Sequence, residues 1–149
     1  MKILFLHGRE GTPEGSKVTH LRGLGYKVIA PSLPPDDWEL SKLRANHCLE
    51  AFEPDVIVGS SRGGALAASL ETNVRKVLIA PAYRMFNVQE VHVNASTIVL
   101  HSTEDDIVSL DDSVGLTELG VNLIICGNCH RMKDPEALAS LVEAIGSKS

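Results

Sequence analysis

Six short, uninterrupted apolar runs, at 2–7, 26–30, 55–59, 74–80, 97–101 and 121–126, alternate along the chain with stretches of helical periodicity. A strand with one face in water alternates apolar and polar residues. A continuous apolar run is a strand buried on both faces, which a parallel sheet covered by helices on each side supplies. The middle four runs carry the β-branched Val and Ile that suit such strands. Helices are expected at 16–24, 37–52, 62–71, 110–119 and 135–145. Gly25 and Gly120 stand where C-terminal caps belong, Pro54 ends the second helix, and Asp134-Pro135 is an N-cap followed by proline at the first helical position. With right-handed crossovers, few arrangements other than a doubly wound α/β/α sandwich remain.

The 149 residues, 44% hydrophobic and 22% charged, suit one domain spanning 1–149, with no linker, repeat or low-complexity tract. Three cysteines, an odd number, argue against a disulfide framework and for a reducing, cytoplasmic setting. A net charge of −5 without a basic run excludes a nucleic-acid backbone or an anionic membrane as the expected partner. No run reaches the roughly 20 apolar residues of a membrane helix. The stretch from Met1 to Gly8 reads as a strand rather than a signal peptide.

Chemistry enters at Gly59-Ser60-Ser61-Arg62-Gly63, a G-x-S-x-G motif between the third apolar run and a helical stretch. In that context the motif is a nucleophile elbow. Small residues two before and two after the serine let strand and helix approach, and Gly59 and Gly63 supply them. A serine needs a base, and the base an orienting acid. His130 follows the last strand and is the one histidine C-terminal to both Ser61 and the acidic cluster Glu104-Asp105-Asp106, which follows the fifth strand. Both are carboxyl-end loops, where open α/β sheets place their sites. The residues alone leave the acid open among the three carboxylates. Two backbone donors are expected for an oxyanion: the amide of Arg62, after the nucleophile, and that of Arg9, where Gly8 lets the loop turn close.

Taken together these segments resemble the α/β-hydrolase superfamily, and within it the small YqiA-like esterases. Leu6-His7-Gly8 with Thr12-Pro13 and Ser16-Lys17 is similar to that group's first loop, and Pro31-Ser32-Leu33-Pro34-Pro35 to its second-strand exit. Gly59-Ser60-Ser61-Arg62-Gly63-Gly64 is similar to its elbow, and Ala80-Pro81-Ala82-Tyr83-Arg84-Met85-Phe86 to its Asn-Pro-Ala-x-Arg-x-Phe segment. The resemblance implies a minimal hydrolase sheet of order 2-1-3-4-5-6. It also implies a Ser61-His130-Asp105 triad, the aspartate lying two residues before Ile107, and cleavage of small acyl esters or thioesters without cofactor or metal, by a monomer or small homo-oligomer. The chain departs from the pattern in three places. Residues 81–96 are too few for a substantial lid, Arg9 and Arg62 replace the usual neighbours, and Cys129 precedes the histidine.

Of seven arginines, Arg9, Arg62 and Arg131 flank the oxyanion, nucleophile and base positions, so a carboxylate or phosphate on the substrate is expected to meet them. Two other functions compete. A hydrolase fold that has lost catalysis would act as a binding or regulatory module. Cys126-Gly127-Asn128-Cys129-His130 also matches C-x-x-C and C-x-x-C-H, so thiol redox chemistry, or zinc bound with His101 or His7, is the other alternative.

Overall fold

The computed structural model describes residues 1–9 and 11–147. Its elements run β1 (Lys2–Leu6), α1 (Ser16–Gly23), β2 (Lys27–Ile29), α2 (Trp38–Phe52), β3 (Val56–Ser60), α3 (Arg62–Ser69), β4 (Arg75–Ile79), β5 (Ile98–His101), α4 (Leu110–Leu116), β6 (Asn122–Ile125) and α5 (Pro135–Gly146). The six strands form one parallel sheet of order β2-β1-β3-β4-β5-β6, as expected.

Successive residues of β1 show why the apolar runs are unbroken. Ile3 and Phe5 pack with Val18 and Leu21 of α1 and Leu141 and Ile145 of α5, whereas Leu4 and Leu6 pack with Ala45 of α2 and Ala65 and Leu66 of α3. Alternate side chains thus enter two separate cores, so every position is apolar. The caps follow local chemistry. Asp37 accepts from the Leu40 amide at 3.0 Å and Asp134 from that of Ala137 at 3.2 Å, satisfying first-turn donors. Gly25 and Gly120 take φ of 94° and 93°.

Two expected helices end differently. The run at 62–71 stops at Ser69, because Leu70 adopts an extended ψ of 125° and is buried in the α2–α3 core. The run at 110–119 divides into α4 and a 3-10 turn, Thr117–Leu119. Between β4 and β5 the chain forms turns, with no helix or strand in 80–97.

Candidate active site

The strand-to-helix turn at Ser61 is strained. Its φ of 56° and ψ of −113° fall where an L-residue pays about 1–3 kcal/mol, held here because the Ser61 amide donates to Ile79 O at 2.9 Å and its carbonyl accepts from Ala65 and Ala82 at 3.0 Å. The turn is possible only with glycine on both sides. A Cβ on Gly59 would stand 2.4 Å from Gly63 O, and one on Gly63 would stand 1.9 Å from Leu6 O and 2.6 Å from His7 O. Gly64 is a third such position, its Cβ falling 2.9 Å from the Pro81 Cα. Its neighbour comes from the β4 exit, so the G-x-S-x-G motif does not reveal the demand.

His130 joins the serine to one carboxylate. Its Nε2 lies 2.9 Å from Ser61 Oγ and its Nδ1 2.7 Å from Asp105 Oδ2. An ionised carboxylate only accepts, so Nδ1 carries the proton and Nε2 accepts from the serine hydroxyl. Asp105 is the acid the structure brings to His130; Glu104 and Asp106 are exposed. The Asp105 side chain has no exposed surface. Burial pushes its carboxyl up, but hydrogen bonds from His130 and from the Val108 and Ile107 amides, at 2.8 and 2.9 Å to Oδ1, outweigh it and hold the group below the ordinary aspartate value.

A second histidine supports the acid from below. His101, fully buried at the end of β5, sets Nε2 3.0 Å from Val108 O and 3.2 Å from Asp105 Oδ2. Both partners accept, so Nε2 is the donor and Nδ1 accepts from Ser113 Oγ at 2.6 Å. The sequence suggests His101 only as a zinc ligand, because its partners come from the following loop and from α4. Ser102 ties the two functional loops together, its hydroxyl donating to Gly127 O and accepting from the Glu104 amide, each at 3.0 Å. Met132, at φ 53°, plugs the α1–α5 core and anchors the chain just beyond His130.

On the other side of Ser61, a Cβ on Gly8 would lie 3.4 Å from Ser61 Cβ, so the β1 exit passes directly over the serine. His7 holds that exit in place. Its buried ring accepts from the Leu33 amide at 3.0 Å and donates to Gly8 O at 2.7 Å. Arg62, as first residue of α3, has an amide with no carbonyl one turn earlier to receive it.

The side chain of Arg62 overturns one expectation. It is 2% exposed, donates to Pro34 O and Ser41 Oγ at 3.0 and 3.1 Å, and lies over the stacked rings of Trp38 and Phe86 at 5.5 and 5.8 Å. Burial, with Arg9 nearby, pushes its pKa down. It belongs to the α2–α3 packing and does not line the cavity at Ser61. Arg9 and Arg131 do line it, but the Arg9 guanidinium pairs with Asp36 at 3.2 Å. The three arginines therefore do not converge.

That cavity, about 650 Å³, is bounded by Gly8-Arg9 and Gly11-Thr12 after β1, Gly15 and the start of α1, the elbow, Met85-Phe86, Asp106-Ile107, and residues 129–131 and 133. Its exposed rim includes Met85 and Ile107. The three thiols are free. Cys126 is buried, whereas Cys129 lines the cavity. Burial pushes the Cys126 thiol up, the opposite of thiolate activation. Among the described residues no three His, Cys, Asp or Glu side chains are grouped as metal ligands, His101 and His7 being committed elsewhere. No helix among them is long and apolar enough to cross a membrane.

No protein-family model matches the sequence, and no curated protein matches it significantly. Solved structures do match. One, described as a hydrolase of the alpha/beta superfamily from Xanthomonas campestris pv. campestris, is 23% identical with a TM-score of 0.76, over 96% of this chain and 98% of that one. An esterase from Exiguobacterium antarcticum is 13% identical with a TM-score of 0.76, over 99% and 92%. An α/β serine hydrolase without lid, from Xanthomonas campestris, is 16% identical with a TM-score of 0.73, over 99% and 84%. Sheet order, a strained serine between β3 and α3, and these likenesses agree, and the chain has the α/β-hydrolase fold.

Proposed function

We propose that this chain is a serine hydrolase that cleaves small acyl esters or thioesters. The observation that carries the reading is the continuous hydrogen-bonded line from buried Asp105 through His130 to Ser61, with the serine lifted from the backbone at positive φ. Ser61 Oγ attacks the acyl carbon while His130 Nε2 takes its proton. Asp105 holds the ring with Nδ1–H toward itself and stabilises the imidazolium. The oxyanion is held by the amides of Arg62 and Arg9, each donor of this kind contributing about 3 kcal/mol in the transition state. Collapse of the intermediate breaks the bond to the leaving oxygen or sulfur, which takes the proton from His130. Water then loses a proton to His130 and attacks the acyl-enzyme, and Ser61 leaves with that proton. The chain's own groups complete the cycle. The exposed rim and the short 81–96 connection favour short acyl groups, and the esterases of the same fold add support.

The test is labelling with a fluorophosphonate together with a panel of acyl esters, on the natural chain and on Ser61→Ala. The reading requires labelling and turnover that both vanish in Ser61→Ala. A protein that folds but neither labels nor turns over any ester would instead be the non-catalytic binding module.

A further inference from the structure

Asp105 is held at more points than its own loop provides. Its Oδ1 accepts from the amides of Ile107 and Val108, and its Oδ2 meets His130 Nδ1 at 2.7 Å. His101 stands behind both oxygens. Its Nε2 lies 3.2 Å from Oδ2 and 3.0 Å from the carbonyl of Val108, the residue whose amide reaches Oδ1. One ring nitrogen thus faces Oδ2 directly and steadies Oδ1 through Val108.

An imidazole with one proton can do this only as the tautomer that carries it on Nε2. Ser113 Oγ, fully buried and 2.6 Å from Nδ1, selects that tautomer by donating its own proton there. The serine comes from α4, which the 81–96 connection pins in place. Tyr83 donates its hydroxyl to Asp112 O at 2.7 Å, and Arg84 pairs with the Asp112 carboxylate at 3.3 Å. The acid loop, β5, α4 and the β6–α5 loop therefore meet at one carboxylate. Its other acidic neighbours on the same loop, Glu104 and Asp106, stand in water.

Packing alone does not call for this histidine. Ile98, Val99 and Leu100 fill the rest of β5, and a buried imidazole in the next position carries a desolvation cost that a leucine would not. Nor is it there for substrate, because neither His101 nor Ser113 lines the cavity at Ser61. A donor facing an ionised carboxylate favours the charged form, which is the direction in which Asp105 lies, below the ordinary aspartate value.

We infer that His101, its tautomer set by Ser113, is a positioning residue for the proposed reaction: it fixes both oxygens of Asp105 so that the carboxylate stays aimed at His130 as the imidazolium forms. The inference rests on the serine-hydrolase reading and extends its hydrogen-bonded line to a second histidine. His101 keeps its proton in every step.

Two amide substitutions separate this role from ordinary packing. In His101→Gln the side-chain NH2 stands where Nε2 stood and reaches Val108 O and Asp105 Oδ2. In His101→Asn the amide lies at the Nδ1 position, toward Ser113, and Asp105 loses its support. His101→Leu removes both contacts. The experiment measures kcat and KM for 4-nitrophenyl acetate, and follows the Asp105 carboxyl against pH by carbon-13 NMR, on the natural chain and the three variants. Since His101 touches no substrate, kcat falls about tenfold or more in His101→Leu and His101→Asn with KM unchanged, whereas His101→Gln stays within about threefold of the natural chain. The Asp105 midpoint rises in the first two and returns toward its natural value in His101→Gln. Ser113→Ala, which releases the tautomer but keeps the ring, lowers kcat by a smaller factor with KM unchanged and decides the matter if no His101 variant folds. A kcat and midpoint unmoved in every variant, or an asparagine that serves as well as glutamine, overturns the inference while leaving the hydrolase reading intact. If the natural chain neither labels at Ser61 nor turns over the ester, the hydrolase reading fails and the midpoint decides alone. A value raised in His101→Asn and restored in His101→Gln supports the grip on Asp105, and one unmoved in both overturns it.

Discussion

Gly63→Ala tests the link between packing and chemistry in this fold. The added methyl would stand 1.9 Å from Leu6 O and 2.6 Å from His7 O, both backbone atoms of the β1 exit, whereas real Cβ contacts essentially never fall under 3.0 Å. No side chain can swing aside, so α3 and the β1 exit must separate by about 1 Å. Overpacking of this kind costs about 1–3 kcal/mol when side chains can adjust, so the upper end is expected here. In a chain of this size about 3 kcal/mol lowers the melting midpoint by roughly 6–12 °C. The same displacement moves the loop of Gly8 and Arg9 away from Ser61, and a misplacement of about 1 Å can cost about 100-fold in rate. Thermal and urea denaturation read the first effect, and the rate of fluorophosphonate labelling reads the second. Gly23→Ala, where an added Cβ meets nothing within 4 Å, is the control and should gain about 0.5–1 kcal/mol. A Gly63→Ala protein that melts within about 2 °C of the natural chain, while labelling within about threefold of its rate, would refute the reasoning.

Four further outcomes are expected. Asp105→Asn keeps an acceptor for the Val108 and Ile107 amides but turns an NH2 toward His130, forcing Nδ1 to accept and Nε2 to carry the proton that faces Ser61; ester turnover should fall by up to about 10⁴-fold with the fold retained by circular dichroism. His101→Leu leaves Ser113 Oγ and Val108 O without their buried partner and should cost about 2–3 kcal/mol in urea denaturation. Because the folded Asp105 value lies below 3.8, its contribution to stability is present above that pH and is lost as pH falls through the lowered value; the stability difference between the natural chain and Asp105→Asn should shrink in acid. Lys76, 2% exposed and donating to Leu70 O and His92 O at 2.6 Å, is pushed by burial from 10.5 down to about 8. Between those values the unfolded chain binds the extra proton, so stability rises with pH by up to about 3 kcal/mol relative to Lys76→Met, measured by denaturation at pH 7.5 and 10.

The strands could be read from the sequence because burial on both faces leaves an unbroken apolar run, and the elbow could be read because its steric demands fall on residues two apart in the chain. What stayed hidden depends on partners distant in sequence. Arg62 opens a helix, where an arginine is ordinarily solvated, and only the ring pair of Trp38 and Phe86, 24 residues away on either side, encloses it. His101 ends a strand with nothing local to reveal its grip on Asp105 and Ser113. Which of three adjacent carboxylates meets His130 depends on the loop after β5, which turns its middle one, Asp105, inward and leaves Glu104 and Asp106 in water.

The passage of the β1 exit over the elbow also bears on when the proposed site is assembled. Ile3 pairs with Val56, and Ser61 meets His130 across 69 residues, so the site is built almost wholly from contacts of high sequence separation. Such contacts are reached late, after local helices have formed, because the closure entropy of long loops must be met first. Under the proposed reading, labelling of Ser61 reports completion of folding: during refolding it should emerge after the helical signal, and a collapsed intermediate with near-native secondary structure should label poorly.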